Sequence, residues 1–208
     1  METMVFESPI QSVPALAPDE DLALVRASKN GNHASFAVLV RRYDRKLLRI
    51  AQNLTHNLED AEEAVQEAFF KAYQKLSQFR EQSKFSTWLT RILLNEALMK
   101  LRKQRARLEQ STEDDGGENN GLPRDLSDWA PGPDSLYSTL ELRNILTRSL
   151  LTLSPALRAV FILRDVEGHT SGETAEILDL KEVAVRSRLS RARLQLREEL
   201  SKYLRKST

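Results

Sequence analysis

The sequence predicts an all-α protein of two small helical domains joined by a flexible acidic linker, with a C-terminal helix-turn-helix. Three of its features point that way. Gly is scarce, 7 of 208 residues, and only 6% of residues are aromatic, whereas Leu, Ala, Arg, Glu and Gln are abundant, a composition that favours helix over sheet. Apolar residues recur at three- and four-residue spacing, with no alternating strand pattern and no repeat of fixed period. That periodicity stops over residues 109 to 135, where Gly116-Gly117-Glu118-Asn119-Asn120-Gly121, Pro123, Pro131, Gly132 and Pro133 mark a linker. A chain of this length holds one ordinary domain or two small ones, and the linker selects two.

Residues 1 to 18 are expected to form a disordered tail, and the first domain spans residues 19 to 108. A short helix fits residues 19 to 30. Phe36, Leu39, Tyr43, Leu47, Ile50 and Leu54 then outline one amphipathic helix. Ala61, Val65, Ala68, Phe69, Ala72 and Leu76 outline a second, and Phe85, Trp88, Leu89, Ile92 and Leu93 a third. The second domain occupies residues 136 to 208. Its first helix, over residues 135 to 152, ends before Ser154-Pro155, a Ser N-cap with Pro at the first helical position of the next helix.

Thr170-Ser171-Gly172-Glu173 has the form of a capping box and opens a short helix reaching Ile177 or Leu178. Asp179 tolerates the left-handed backbone of a tight turn, and a helix from about Lys181 to Lys202 completes the helix-turn-helix. Along this last helix Val185, Leu189, Ala192, Leu196 and Leu200 fall within roughly 80° of arc and form the buried stripe. Val183, Ser187 and Ser190 lie near the opposite pole, flanked by Arg186 and Arg191. Small side chains there permit close approach to a groove, and guanidinium groups reach phosphates or a guanine edge. A charged helix face is more often plain solvated surface. Here the capping box, the turn and a helix with one buried and one basic face occur together, which favours DNA binding.

Charge is segregated along the chain although the formal net charge is only +1. Glu59, Asp60, Glu62, Glu63 and Glu67 fall in one stretch without a base. Residues 91 to 107 sum to +5, residues 110 to 138 to −6 and residues 181 to 206 to +6. Two basic blocks separated by an acidic spacer suit a polyanion partner. The Glu59 to Glu67 stretch suits a basic protein surface, and acids at a helix N-terminus complementing the dipole account equally well for Glu59 to Glu63. Between Phe79 and Trp88, Arg80, Lys84, Phe85 and Trp88 mix bases with aromatic rings able to stack on unpaired nucleobases. Phe85 and Trp88 are also spaced i, i+3 on an amphipathic helix, so at least one packs. The assignment adopted is that the loop Arg80 to Lys84 meets single-stranded DNA and Phe85 packs.

The absence of Cys excludes disulfides, thiolate metal sites and a catalytic thiol, and makes the cytoplasm the default location. No apolar run approaches the roughly 18 residues of a membrane span, so no membrane insertion is expected. No cofactor, metal or catalytic residue is expected either. There is no Gly-rich phosphate loop, and neither His33, His56 nor His169 has a Glu three residues before it, as a carboxylate-bridged metal bundle wants. His169 reads as an exposed or capping residue.

These motifs, in this order, resemble the bacterial RNA polymerase sigma factors of the extracytoplasmic function (ECF) type, in the sigma-70 family. The resemblance covers roughly residues 20 to 107 and 140 to 204. Ala61-Glu62-Glu63-Ala64-Val65-Gln66-Glu67-Ala68-Phe69 looks like the family's core-polymerase-binding helix, and Phe85-Ser86-Thr87-Trp88-Leu89 with Ile92 and Asn95 looks like its promoter-melting segment. Leu153-Ser154-Pro155 to Arg158, Val160-Phe161-Ile162-Leu163, Glu167-Gly168 and Val185-Arg186-Ser187-Arg188-Leu189-Ser190-Arg191-Ala192-Arg193 look like the domain that reads the upstream promoter box. Glu63 stands where the family has Asp, Met99 where an acid is usual, and Lys181 and Val183-Ala184 where Ser and Gly-Thr are frequent.

The resemblance implies a factor without an active site, whose partners are core RNA polymerase, promoter DNA and an anti-sigma factor. Glu63, Gln66, Glu67 and Phe70 would face the polymerase. Arg80, Lys84, Trp88 and Asn95 would take the opened downstream box, and Arg186, Ser187, Ser190 and Arg191 would read the upstream box. The competing reading is a stand-alone helix-turn-helix repressor or activator, which would need a dimer surface or ligand pocket in place of the acidic helix and the basic, aromatic segment.

Overall fold

Asn32 and Asn57 show how the helices of the first domain are punctuated. Each side chain accepts a hydrogen bond from a backbone N–H three residues on, Ser35 at 3.1 Å and Asp60 at 2.9 Å, and so caps a helix start. A computed structural model of the chain describes residues 18–111 and 144–204. Its helices are α1 (Pro18–Lys29), α2 (His33–Thr55), α3 (Leu58–Gln74), α4 (Phe85–Ser111), α5 (residues 144–152), α6 (Pro155–Phe161), α7 (Ser171–Leu178) and α8 (Glu182–Leu204). A 3-10 turn, Leu76–Gln78, follows α3, and α6 runs on into a π-helical turn, Ile162–Val166. No strand occurs among the described residues. The tail expected over residues 1 to 18 lies almost wholly outside them, as does most of the expected linker, although α4 extends three residues past the expected boundary to Ser111.

In the first domain α3 lies against both α2 and α4, and α1 crosses α2. Ala61, Ala64, Ala68 and Ala72 are fully buried along one face of α3. Their small side chains let the flanking helices approach closely, while Leu39, Leu47, Ile50, Leu89 and Leu93 fill the space between. Asp21 ties α1 down, pairing with Arg42 at 2.5 Å and accepting from the Tyr43 hydroxyl. Burial, reinforced by Asp21, pushes the Tyr43 phenol well above its ordinary pKa.

The second domain follows its punctuation except at Ser154, whose side chain makes no capping bond although Pro155 does open α6. Thr170 accepts from the Glu173 N–H at 3.1 Å and the Glu173 carboxylate accepts from the Thr170 N–H at 3.0 Å, closing the capping box of α7. Asp179 ends α7 at φ 54°, in the left-handed region, and Gly168 takes φ 73° just before α7, where a side chain would be strained. Val160, Ala175, Val185 and Leu189 form one core, and Leu153, Ala192 and Leu196 another, with Phe161 touching both.

The two domains are packed on each other. Ala159, Ile162, Leu163 and Ile177 belong to the apolar core that Leu39, Leu54 and Leu93 build in the first domain. At their seam sits Arg158, 5% exposed, with no carboxylate among its hydrogen-bond partners. Its guanidinium donates to the carbonyls of Leu150, Leu151 and Leu153 at 3.0–3.1 Å, around the end of α5, and to that of Leu54 at 2.7 Å, near the end of α2. These are carbonyls that helix termini leave unpaired, and the negative ends of two helix dipoles supply the attraction a carboxylate would otherwise give. Burial lowers the Arg158 pKa to about 10, so it stays charged at neutral pH. His56, the left-handed cap of α2 at φ 53°, is held neutral by its own burial and by the Arg158 charge, with its pKa down at about 4.

Replacing Arg158 with Met should cost about 2–4 kcal/mol, because four carbonyls, two of them in fully buried bonds, lose their donor. Urea unfolding of the two proteins reads this directly, and an unchanged midpoint would contradict it. A pH effect follows from the histidines. The unfolded chain takes up a proton near the ordinary histidine value of 6.5, which folded His56 refuses until about 4. Stability is therefore full above 6.5 and falls as pH drops towards 4, with buried His169 acting in the same direction. His56→Asn, which keeps a residue tolerant of the left-handed cap, should flatten the dependence of the urea midpoint on pH across that window.

Candidate nucleic-acid interface

Helix α8 presents the surface expected of it. Val185 and Ala192 are fully buried, Leu189 and Leu196 nearly so, and Leu200 is half-buried. On the other side Arg186, Ser187, Ser190 and Arg191 are all exposed. Val183, in the first turn, is 69% exposed and Leu194 58%, in line with Ser187 and Ser190 at helical spacing. The exposed row thus has an apolar residue at each end, a feature legible in the i, i+4, i+7, i+11 spacing. Arg193, next to this row, is held by Asp165 of the π turn at 2.6 and 2.8 Å, which leaves Arg186 and Arg191 at its edges.

The segment leading into α4 is anchored through an acid rather than by its bases. Glu81, in the left-handed region at φ 60°, accepts from Arg26 at 2.7 and 3.0 Å and from Lys29 at 3.3 Å, both on α1. Those cations hold its carboxyl below the usual carboxylate range. Lys29 also donates to the Phe79 carbonyl at 2.6 Å and lies 5.6 Å from the Phe79 ring centroid. The effect is a fixed loop with Arg80 and Lys84 exposed on it. Phe85 packs, as expected, at 2% exposure. Trp88 packs as well: it is half-buried, with its ring centroid 5.1 Å from Phe79 and 5.8 Å from Phe85, so only part of the indole faces outward. Asn95 is exposed further along α4.

Glu63, Gln66, Glu67 and Phe70 are exposed together on one face of α3. Phe70 is 58% exposed, an apolar ring offered to solvent beside two acids. The acidic face is partly answered from within, since Lys100 of α4 pairs with Glu63 and lies 3.5 Å from Asp60, and Lys71 pairs with Glu96 at 2.6 Å. Met99 is 41% exposed and lines the open groove between α3 and α4 with Glu67 and Lys103. Among the described residues no group of His, Asp and Glu is arranged to hold a metal ion.

His169 departs from the sequence expectation. Its side chain is 11% exposed, not free in a loop, and burial lowers its pKa, assisted by the Lys46 charge. Spacing along the chain gave no sign of this, and the charges of Lys46 and Lys84 that act on it come from the first domain.

Residues 39–107 match the family model of sigma-70 region 2, and residues 143–196 match that of sigma-70 region 4. The chain is 36% identical over 177 residues to the ECF RNA polymerase sigma-E factor of Escherichia coli (strain K12), covering 83% of this chain and 90% of that one. It is 30% identical over 176 residues to the ECF RNA polymerase sigma factor SigW of Bacillus subtilis (strain 168), covering 85% and 94%. Among solved structures, the sigma factor RpoE in complex with the anti-sigma factor NepR from Bartonella quintana superposes with a TM-score of 0.62 at 26% identity, covering 80% of this chain and 96% of that one. CnrH in complex with the cytosolic domain of CnrY gives 0.62 at 27% identity, covering 88% and 99%. With both regions matched in order and on the helices that carry the exposed faces, the chain belongs to the ECF sigma factors, which direct promoter-specific transcription initiation.

Proposed function

We propose that this chain acts by binding core RNA polymerase through α3 and placing two separate reading surfaces on promoter DNA. It carries no active site of its own and works in the cytoplasm. The observation that carries this reading is the exposed row of α8, which follows the capping-box helix α7 and the Asp179 turn. Arg186 and Arg191 reach phosphate or a guanine edge of the upstream box, while Ser187 and Ser190 keep the helix surface low enough to enter the major groove. Arg80 and Lys84 offer charge to the opened strand of the downstream box, the outward edge of Trp88 offers a stacking surface, and Asn95 a hydrogen-bonding amide. On α3, Glu63, Gln66, Glu67 and Phe70 combine negative charge with one apolar anchor, the composition suited to a basic helical surface on the polymerase. An anti-sigma factor is proposed as a third partner, because the similar sigma factor RpoE was solved with the anti-sigma factor NepR bound. The stand-alone repressor reading lacks support, since the region-2 match gives the first domain a different occupation from dimerisation.

The direct test adds the purified chain to core polymerase on a library of promoter fragments and measures run-off transcripts. Promoter-selective transcripts are expected, and none above core alone would refute the reading. Arg186→Ala and Arg191→Ala separate base reading from phosphate neutralisation. Loss of a base contact should cost about 1–3 kcal/mol and relax preference at one position. Loss of a phosphate contact should weaken all sequences alike and flatten the salt slope by about one unit. On α3, the pair Glu67→Lys and Phe70→Ala should reduce capture of core polymerase while the far-ultraviolet circular dichroism stays that of the parent. Full capture by the folded variant would misplace the interface.

A further inference from the structure

Val183 is 69% exposed and stands in the middle of the surface assigned to DNA. Ser187 and Ser190 project within about 40° of it around the helix, while Arg186 lies about 60° to one side and Arg191 about 80° to the other. One exposed valine is ordinary on a protein surface, and what singles this one out is its place and its rigidity. In helix-turn-helix proteins the N-terminal residues of the second helix meet the base edges, and Val183 is the second residue of α8. Leu194, the other exposed apolar residue of the row, lies about 16 Å further along the axis, past the part of the helix that enters the groove.

The first turn of α8 is fixed from below. The Leu180 N–H donates to the Ala175 carbonyl at 2.9 Å, Leu180 packs on the core of Val160, Ala175, Val185 and Leu189, and Val185 is fully buried. A β-branched side chain in a helix has one strongly preferred χ1 rotamer, so Val183 loses little entropy when it is covered. Its acidic neighbour is turned aside: the Glu182 carboxylate lies 3.8 Å from Arg186 and faces Gly172 of α7, where an added Cβ would stand 3.4 Å from it. Two methyl groups are thus left at the centre of the tip, between guanidinium groups.

The one methyl group that a base pair presents in the major groove is that of thymine. We infer that Val183 reads a thymine of the upstream box by packing against its 5-methyl group, about one or two base pairs from the contact of Arg186. The separation follows from geometry, since residues three apart on a helix have Cβ atoms about 5–6 Å apart and base pairs stack at about 3.4 Å. The inference rests on the reading of α8 above as the upstream-box helix. An apolar contact displaces no counterions, so it sharpens base preference without adding to the salt-dependent part of the affinity.

The test uses the full chain bound to core polymerase. Selection from a promoter library randomised over the upstream box gives the bases the parent prefers, and thymine at one position is expected among them. Each selected thymine is then replaced in turn by deoxyuridine, which keeps the pairing and every hydrogen-bonding group and lacks only the methyl. At the position facing Val183 this should weaken promoter binding about three- to tenfold in a competition assay, by the same factor at low and high salt. Val183→Ser, a change at an exposed position that should keep the circular dichroism and urea midpoint of the parent, should bind the thymine and deoxyuridine promoters alike. Absence of a selected thymine, equal binding of the two promoters by the parent, or undiminished discrimination by Val183→Ser each overturns the inference. Arg186→Ala and Arg191→Ala tell that failure from failure of the underlying reading. If either weakens binding while the methyl has no effect, only the role of Val183 falls. If binding and preference are unchanged in all three variants, α8 is not the upstream-box helix.

Discussion

A guanidinium buried without a carboxylate sets the architecture of this molecule. Arg158 takes three of its acceptors from the end of α5 in its own domain and the fourth, the Leu54 carbonyl, from the end of α2 across the seam. A buried cation with its donors unmet is far costlier than one never buried, so burying Arg158 against α2 requires the Leu54 carbonyl to be in place. His56 belongs to the same constraint. It caps α2 beside that charge, and remaining neutral is the condition for its staying there.

That constraint explains why the functional surfaces are distributed as they are. The exposed row of α8 and the exposed face of α3 point away from the seam and are available in the packed state. The loop before α4 is different: Glu81 fixes it to α1, and Lys84, its last residue, is held by Glu173.

Much of this was legible in the sequence. The capping box at Thr170, the Asp179 turn, the buried stripe of α8 and the basic row opposite it all follow from spacing, because they depend on residues close in the chain. Phe85 was correctly expected to pack, whereas Trp88 is shared between core and surface, since Phe79 supplies a second aromatic wall that spacing along one helix does not reveal. The seam was not legible. Arg49–Glu167 and Lys84–Glu173 join residues distant in sequence, and each partner alone looks like an ordinary surface charge. Arg158 gave only a motif match, and its burial and that of His169 come from tertiary packing.

The central claim is that the two domains pack on each other through Ile162, Leu163 and Ile177, with Arg158 reaching the Leu54 carbonyl. Fluorescence energy transfer between dyes on Ser77→Cys and Lys202→Cys, at exposed positions in different domains, measures this on the full protein. High transfer in the free chain that falls when Ile162→Asp and Ile177→Asp break the seam is the result the account predicts. Transfer in the parent no higher than in that variant would contradict it.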